Sequence, residues 1–160
     1  MSVAEVVAAA PIAWTWAHFD SLSARDVYDL LALRSAVFVV EQDCVFLDPD
    51  DCDQEAWHLL GRSGDGSLVA YLRGLAPGVK YAESSIGRVI VAESQRGTGL
   101  GRVLMHEGIP RVRALWPGKD IVIGAQQRLE TFYRSLGFAT EGAIYDEDGI
   151  DHVRMRLRAG

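Results

Sequence analysis

The stretch Gln95-Arg-Gly-Thr-Gly-Leu-Gly101 follows the branched apolar run Ile86-Gly-Arg-Val-Ile-Val91 and precedes apolar residues at helical spacing. The apolar run predicts a central β-strand, and the later spacing predicts a helix. A connection of this kind aims backbone N–H groups and the positive end of a helix dipole at one point, which favours a phosphate. Residues 96–101 are therefore a candidate phosphate-binding loop.

The glycines of this loop leave two interpretations open. Gly97, Gly99 and Gly101 have no Cβ, so a pyrophosphate can approach the main chain and the turn can use a positive φ without steric cost. No Lys-Ser/Thr follows, as a nucleotide-triphosphate loop requires, and Arg102 stands where the dinucleotide fingerprint has Gly or Ala. Taken alone, the glycines are equally consistent with a tight strand-to-helix connection that binds nothing.

Before the loop, the sequence indicates a separate N-terminal segment followed by the start of one domain. We expect residues 1–13 to be flexible and residues 14–160 to form a single domain, as the length of 160 residues suggests. Hydrophobic periodicity predicts an amphipathic helix over residues 24–40. Residues 57–60 and 67–75 predict a hairpin.

The part of the chain after the loop predicts alternating helices and strands. The helix that starts in the loop contains Gly108 and Pro110, which we expect to break or kink it. A strand at residues 121–123, a helix at 127–136 and two strands around the Asp148-Gly149 turn complete the pattern. The domain is therefore predicted to be α/β with a mixed sheet.

Composition excludes several classes of protein. The chain has 22 acidic and 16 basic residues, a net charge of −6, which argues against nucleic-acid binding. Its longest uncharged apolar stretch is too short to cross a membrane and follows no basic segment typical of a secretory signal. Cys44 and Cys52 fit neither a disulfide framework nor a zinc spacing. We expect a cytoplasmic protein without a metal.

Segments in a fixed order carry a family resemblance. Arg96-x-x-Gly99-x-Gly101 after a mid-chain strand, followed by Tyr133 on a helix and Leu136-Gly-Phe138, resembles the GNAT superfamily of N-acetyltransferases. Four further segments resemble the ElaA-type branch of this superfamily: Val37-Phe-Val-Val-Glu-Gln42, Ile86-Gly-Arg-Val89, Gly124-Ala-Gln126, and Tyr145-Asp-Glu-Asp-Gly-Ile150 with His152. The resemblance implies a GNAT-like α/β (α+β) fold with a mixed, mostly antiparallel central sheet flanked by helices.

The resemblance also implies a cofactor and a reaction. It implies acetyl-CoA as co-substrate, no metal, and direct acetyl transfer to an amine of a small molecule or peptide. It implies that the glycine loop binds the pyrophosphate of acetyl-CoA and that the ends of two strands bind its pantetheine arm. The implied cofactor-binding residues are Val89, Ile90, Val91, Arg96, Gly97, Thr98, Gly99, Leu100, Gly101 and Gln126. Many members have Asn where this chain has Gln126, which keeps the amide on a longer arm.

Tyr133 is the implied catalytic residue. The resemblance gives it the role of protonating, or hydrogen bonding to, the departing thiolate. Its helical spacing with Leu129, Phe132 and Leu136 is also typical of a core aromatic residue with a satisfied hydroxyl. An amine nucleophile must lose a proton, and the sequence does not select the acceptor. The candidates in matching segments are Glu41, His58, Asp146, Glu147 and His152.

Two other functions stay open. A non-catalytic acyl-CoA-binding or sensing domain would keep the loop without the chemistry. An interaction module could use the acidic segment at residues 43–55, which could equally steer a cationic amine or be a solvated connection. The apolar N-terminus and the final strands are compatible with a homodimer, although nothing in their pattern requires one.

Overall fold

A single seven-stranded sheet forms the centre of the protein in a computed structural model, which describes residues 11–160. The strands are β1 (Ala13–His18), β2 (Trp57–Arg62), β3 (Leu68–Leu75), β4 (Ser84–Val91), β5 (Ile121–Gln126), β6 (Ala139–Glu147) and β7 (Ile150–Leu157). Their order is β1-β2-β3-β4-β5-β7-β6, and only the β4–β5 pair is parallel. The mixed, mostly antiparallel sheet is therefore confirmed.

The N-terminal strand was not predicted. The flexible segment expected at residues 1–13 lies outside the described residues apart from its last three, and Ala13 already belongs to β1. Trp14 packs against the core, and its ring lies where a Cβ on Gly61 would be. The strand thus depends on a cross-strand contact, which local periodicity does not reveal.

Three α-helices flank the sheet: α1 (Ala24–Arg34), α2 (Leu100–Leu115) and α3 (Glu130–Ser135). A capping box between Ser23 and Asp26 starts α1. The predicted helix over residues 24–40 has nearly the right extent, but its second half, Ser35–Glu41, is a π-helix. We call it the π segment. Such wider turns are frequent at functional sites.

The predicted break in α2 is wrong. The helix runs without interruption through Gly108 and Pro110. A Cβ on Gly108 would lie 2.5 Å from a methyl carbon of Leu72, so this glycine lets the helix lie directly on β3. Burial of Leu104 and Val112 against the sheet therefore outweighs the loss of one backbone hydrogen bond at the proline.

Strands β4 and β5 separate soon after they meet. They pair only at Ser84 with Ile121 and at Ser85 with Val122, although both continue for several residues. The sheet consequently opens into a wedge towards the carboxyl ends of both strands. One hydrophobic core, with α2 and α3, lies on one face of the sheet, and a second, with α1 and the π segment, lies on the other.

No helix within residues 11–160 is long and apolar enough to cross a bilayer.

Candidate active site

A cavity of about 910 Å³ occupies the wedge between β4 and β5. Ile123 and Tyr133, from the core that contains α2, line it on one face of the sheet. Val37 and Phe38, from the core that contains α1, line it on the other face. The cavity therefore passes through the sheet and is open to groups from both layers.

The glycine loop lies at one end of this cavity. Gly97 and Gly99 have φ values of +75° and +83°, and nothing lies within 4 Å of where their Cβ atoms would be. Gly101 is already in the first turn of α2 and does not have a positive φ. The expected use of positive φ values in the loop is therefore correct for two of its three glycines. Thr98 donates its hydroxyl hydrogen bond back to the carbonyl of Gln95, at 2.6 Å, which closes the turn.

The backbone of the loop is free to bind a ligand. Among the described residues 11–160, the N–H groups of residues 97–102 have no acceptor at ordinary hydrogen-bond distance. The first backbone bond of α2 runs from Val103 to Gly99. Several free donors at the start of a 16-residue helix suit an anion such as a pyrophosphate.

The end of β4 supplies a second set of free backbone groups. Its pairing with β3 is irregular around Arg88, which has a φ of +49°, and beyond Ser85 it has no partner on the β5 side. Val89 and Val91 pack towards the α2 core, whereas Ile90 packs towards the α1 core. The predicted strand at Val89–Val91 therefore borders the cavity with an unpaired edge.

Gln126 lies at the end of β5 and lines the cavity. Its amide nitrogen donates to Gln42 at 3.1 Å, and its amide oxygen accepts from Arg128 at 2.9 Å. The longer arm of Gln, compared with Asn, is thus used for bonds to two other segments.

Tyr133 projects from α3 and is 6% exposed, with Phe132 and Phe138 against its ring edges. Among the described residues its hydroxyl has no hydrogen-bond partner, and Tyr133 lines the cavity. Burial raises the pKa of Tyr133 to about 12. A core aromatic residue with a satisfied hydroxyl is therefore not what the structure contains: the ring is in the core, and the hydroxyl is available to a ligand.

The acidic segment at residues 43–55 is not the solvated connection that its composition suggests. Asp48 and Asp53 are buried. Arg34 donates to both carboxylates at 2.7 Å, and Arg73 donates to Asp53 at 2.8 Å. Burial alone would raise the pKa of Asp53, but hydrogen bonds and charge from the two arginines hold it below its usual value.

Two further residues complete this cluster. Arg73 also binds Asp50 through both terminal nitrogens, and Arg88 binds Asp48 at 2.9 Å. Three arginines and three aspartates therefore join α1, the acidic segment, β3 and β4 beside the cavity. We call these six residues the ionic cluster. Sequence reasoning missed it, although Arg34 within the apolar stripe of α1 was a signal, because a charge on a buried helix face requires a partner.

The candidate proton acceptors are separated by the structure. His58 is fully buried, accepts from the Tyr71 hydroxyl at 2.7 Å and donates to the Asp53 carbonyl at 2.9 Å, so it lies away from the cavity. Burial lowers its pKa. Asp146 accepts a hydrogen bond from the backbone of Gly149 and is likewise outside the cavity lining.

The remaining three candidates line the cavity. Glu41, at the end of the π segment, forms a bidentate ion pair with Arg96 of the glycine loop. Glu147 and His152 lie together at the β6–β7 turn, with 3.2 Å between Oε2 and Nε2. The cavity wall also includes Cys44, whose thiol donates to the carbonyl of Asp148 at 3.1 Å. No group of three or more His, Cys, Asp or Glu residues suited to a metal occurs within residues 11–160.

Comparison with known proteins places this geometry in a family. The profile of the Acetyltransferase (GNAT) domain matches residues 51–159. The chain belongs to the GNAT acetyltransferase family. Protein ElaA of Escherichia coli is 42% identical over 146 residues, which cover 90% of this chain and 95% of that protein. A UPF0039 protein of Synechocystis is 42% identical over 147 residues, 92% and 96% of the two chains.

Solved structures agree with this assignment. The crystal structure of Escherichia coli ElaA is 41% identical and superimposes with a TM-score of 0.86, covering 92% of this chain and all of that one. An acyl-CoA N-acyltransferase from Pseudomonas aeruginosa is 37% identical with a TM-score of 0.87, covering 92% and 99%. The resemblance to the ElaA-type branch, drawn from short motifs, is confirmed.

Proposed function

We propose that this protein is an acetyl-CoA-dependent N-acetyltransferase that transfers the acetyl group directly to an amine of a small molecule or peptide. The observation that carries the proposal is the cavity through the sheet, bordered by the free N–H groups of residues 97–102 and the unpaired edge of β4. The name of the Pseudomonas relative, an acyl-CoA N-acyltransferase, supports the same class of reaction.

The residues present fit acetyl-CoA. The glycine loop offers backbone donors and open space to a pyrophosphate, and Arg96 adds a positive charge. The unpaired edge at Val89–Val91 and the amide of Gln126 offer groups to the pantetheine arm. When bound, acetyl-CoA supplies the activated acetyl group, and the chain's own residues bind and orient it.

The hydroxyl of Tyr133 in the cavity wall, unpaired within residues 11–160, supports a role at the leaving sulfur. With a pKa of about 12, full proton transfer from its hydroxyl to a thiolate of ordinary basicity, pKa ~8.5, is uphill by about 5 kcal/mol. Donation of a hydrogen bond costs far less and still stabilises developing charge in a site that excludes water. We therefore assign Tyr133 as the hydrogen-bond donor that stabilises the thiolate.

A pair of matched glycine variants tests the proposal. Wild type should release CoA from acetyl-CoA in the presence of an accepted amine, and acetyl-CoA should raise its melting temperature. Gly99→Val should lose this thermal shift, because the side chain fills the space above the loop. Gly118→Val is the control, since Gly118 has a similar φ of +75°, equally open surroundings and a position in the turn after α2.

The outcomes separate the alternatives. A thermal shift that survives in Gly99→Val, or that is lost equally in Gly118→Val, would contradict the assignment of the loop. Binding of acetyl-CoA without CoA release for any amine in a broad panel would instead support the non-catalytic acyl-CoA-binding domain.

A further inference from the structure

The side of the cavity that would receive the amine contains one histidine, His152. It is 8% exposed and lies on β7, directly opposite Gln126 of β5. Cross-strand partners share a face of the sheet, so His152 and Gln126 lie side by side on the face away from α2. Tyr133 belongs to the core on the other face. The wedge between β4 and β5 thus has His152 on one face and Tyr133 on the opposite one.

Hydrogen bonds fix the orientation of the His152 ring. Its Nδ1 lies 2.7 Å from the carbonyl oxygen of Ile150, which can only accept, so Nδ1 carries a proton. The Tyr145 ring lies against it in a tilted arrangement, with centroids 5.8 Å apart and 31° between the ring planes. Nε2 is therefore the nitrogen that can exchange a proton, and the Oε2 atom of Glu147 lies 3.2 Å from it.

Ion pairs with arginines distinguish two carboxylates of the cavity wall, those of Glu41 and Asp50, from that of Glu147. Glu41 is bound to Arg96, and Asp50 is bound to Arg73 and lies close to Arg88. Glu147, half-buried, has only His152 as an ion-pair partner among the described residues. The groups that face His152 are thus Glu147 from the turn, the Tyr145 phenol from β6 and the uncharged Gln126 from β5.

We infer that His152 is the general base of the reaction and that Glu147 stabilises it once it has taken up the proton. This inference rests on the proposed function. The acceptor enters as an ammonium ion; Nε2 of His152 takes one of its protons, and the freed nitrogen lone pair forms the bond to the acetyl carbon. The bond from carbon to sulfur breaks, the second proton lost by the nitrogen ends on the sulfur, and the first passes from His152 to water. An imidazole suits this task because it titrates near neutral pH.

The test compares His152→Gln with His106→Gln. His106 is exposed on α2, so its replacement removes a histidine without touching the cavity. His152→Gln should lower kcat/KM for the amine about 10²-fold to 10⁴-fold, as expected for a lost general base, and leave the thermal shift by acetyl-CoA unchanged. Its activity should recover in part at high pH, where more of the amine is already neutral.

A second variant covers the case in which His152→Gln is destabilised. Glu147→Gln changes a half-exposed side chain, and it should lower kcat/KM by a smaller factor and move the acid limb of the pH profile to lower pH. Asp151→Asn, an exposed neighbour, should change neither quantity. Nitrogen NMR of wild type should show His152 protonated at Nδ1.

Failure of the inference and failure of the proposed function give different results. If wild type releases CoA and His152→Gln retains kcat/KM within about threefold, with the same pH profile, His152 is not the base and the proposed function stands. If wild type acetylates no amine at all, the proposed function fails and this inference fails with it.

Discussion

The two sides of the cavity are built differently. Under the proposed function, we call the glycine loop, the end of β4 and α3 the cofactor side; it offers mostly backbone groups from consecutive residues. We call the π segment, residues 43–55 and the β6–β7 turn the acceptor side; it offers side chains from segments far apart in sequence. Binding through backbone groups depends little on side-chain identity, whereas binding through side chains depends on it directly. Substitutions on the acceptor side should therefore leave binding of the cofactor intact, and substitutions on the cofactor side should leave binding of the acceptor intact.

The sharpest test of the cofactor side is Tyr133→Phe. The ring and its contacts with Phe132 and Phe138 remain, while the hydroxyl without a protein partner is removed. We expect kcat to fall about 10-fold to 10⁴-fold, with the melting temperature and the acetyl-CoA affinity nearly unchanged. Steady-state kinetics and thermal denaturation measure these quantities, with Tyr28→Phe, a change at a 74% exposed ring, as control.

Two results would contradict the role of Tyr133. Loss of stability together with activity would show that the hydroxyl satisfies a buried partner. Unchanged kcat would show that the sulfur needs no donor, provided a burst phase has first established that chemistry, and not product release, limits turnover in wild type.

The next effect in size concerns the ionic cluster that supports the acceptor side. Asp53→Asn removes the charge shared by Arg34 and Arg73, and it leaves the three arginines of the ionic cluster with only two carboxylates. We expect the free energy of unfolding to fall by about 3 kcal/mol, roughly a hundredfold in the unfolding equilibrium. Denaturant titration measures it, and Asp151→Asn should stay within about 0.5 kcal/mol of wild type.

The same variant probes the independence of the two sides. Under conditions where Asp53→Asn is folded, its thermal shift by acetyl-CoA should match that of wild type, whereas KM for the amine should rise because the acidic segment is less firmly held. If Asp53→Asn weakened the binding of acetyl-CoA and of the amine equally, the cavity would behave as one unit.

This difference also explains what the sequence could predict. The glycine loop, α1 and the hairpin of β2 and β3 are encoded by residues close together, so spacing alone was sufficient. The path of residues 43–55 depends on Arg34, Arg73 and Arg88, which lie on three other elements. A run of carboxylates has the same composition in solvent as in a buried cluster, and only the partners distinguish the two.

Acidification should lower the free energy of unfolding in two stages, through groups in and beside the ionic cluster. The pKa of His58 and that of Asp53 are both below their usual values, so the folded chain binds fewer protons than the unfolded chain as pH falls. Stability should therefore decrease first below about pH 6.5, where an unfolded histidine takes up a proton, and again below about pH 4, where an unfolded aspartate does.

Unfolding midpoints measured from pH 8 to pH 3 check this profile. His58→Gln should lose the first stage. Asp53→Asn should lose part of the second stage, because Asp50 and other carboxylates paired with arginines also have lowered pKa values and contribute to it. A flat profile between pH 7 and pH 5 would show that His58 carries a proton in the folded chain, contrary to its buried bonds with Tyr71 and the Asp53 carbonyl.

The smallest expected change, in the affinity for acetyl-CoA, concerns the contact between the two sides of the cavity. Glu41 of the π segment holds Arg96 of the glycine loop, and this ion pair keeps the pKa of Glu41 below its usual value. A pyrophosphate at the loop must compete with Glu41 for the same guanidinium. Because exposed ion pairs contribute little, Glu41→Gln should tighten acetyl-CoA binding by no more than about fivefold.

Calorimetric titration with acetyl-CoA at two salt concentrations measures this change. The gain should shrink at high salt, because both the pair and the phosphate contact are screened. Glu107→Gln is the matched control, since it breaks an ion pair with Arg111 further along α2 and should leave affinity unchanged. Weaker binding by Glu41→Gln would reverse the interpretation: Glu41 would then orient Arg96 for the phosphate instead of competing with it, and the acceptor side would contribute to binding of the cofactor.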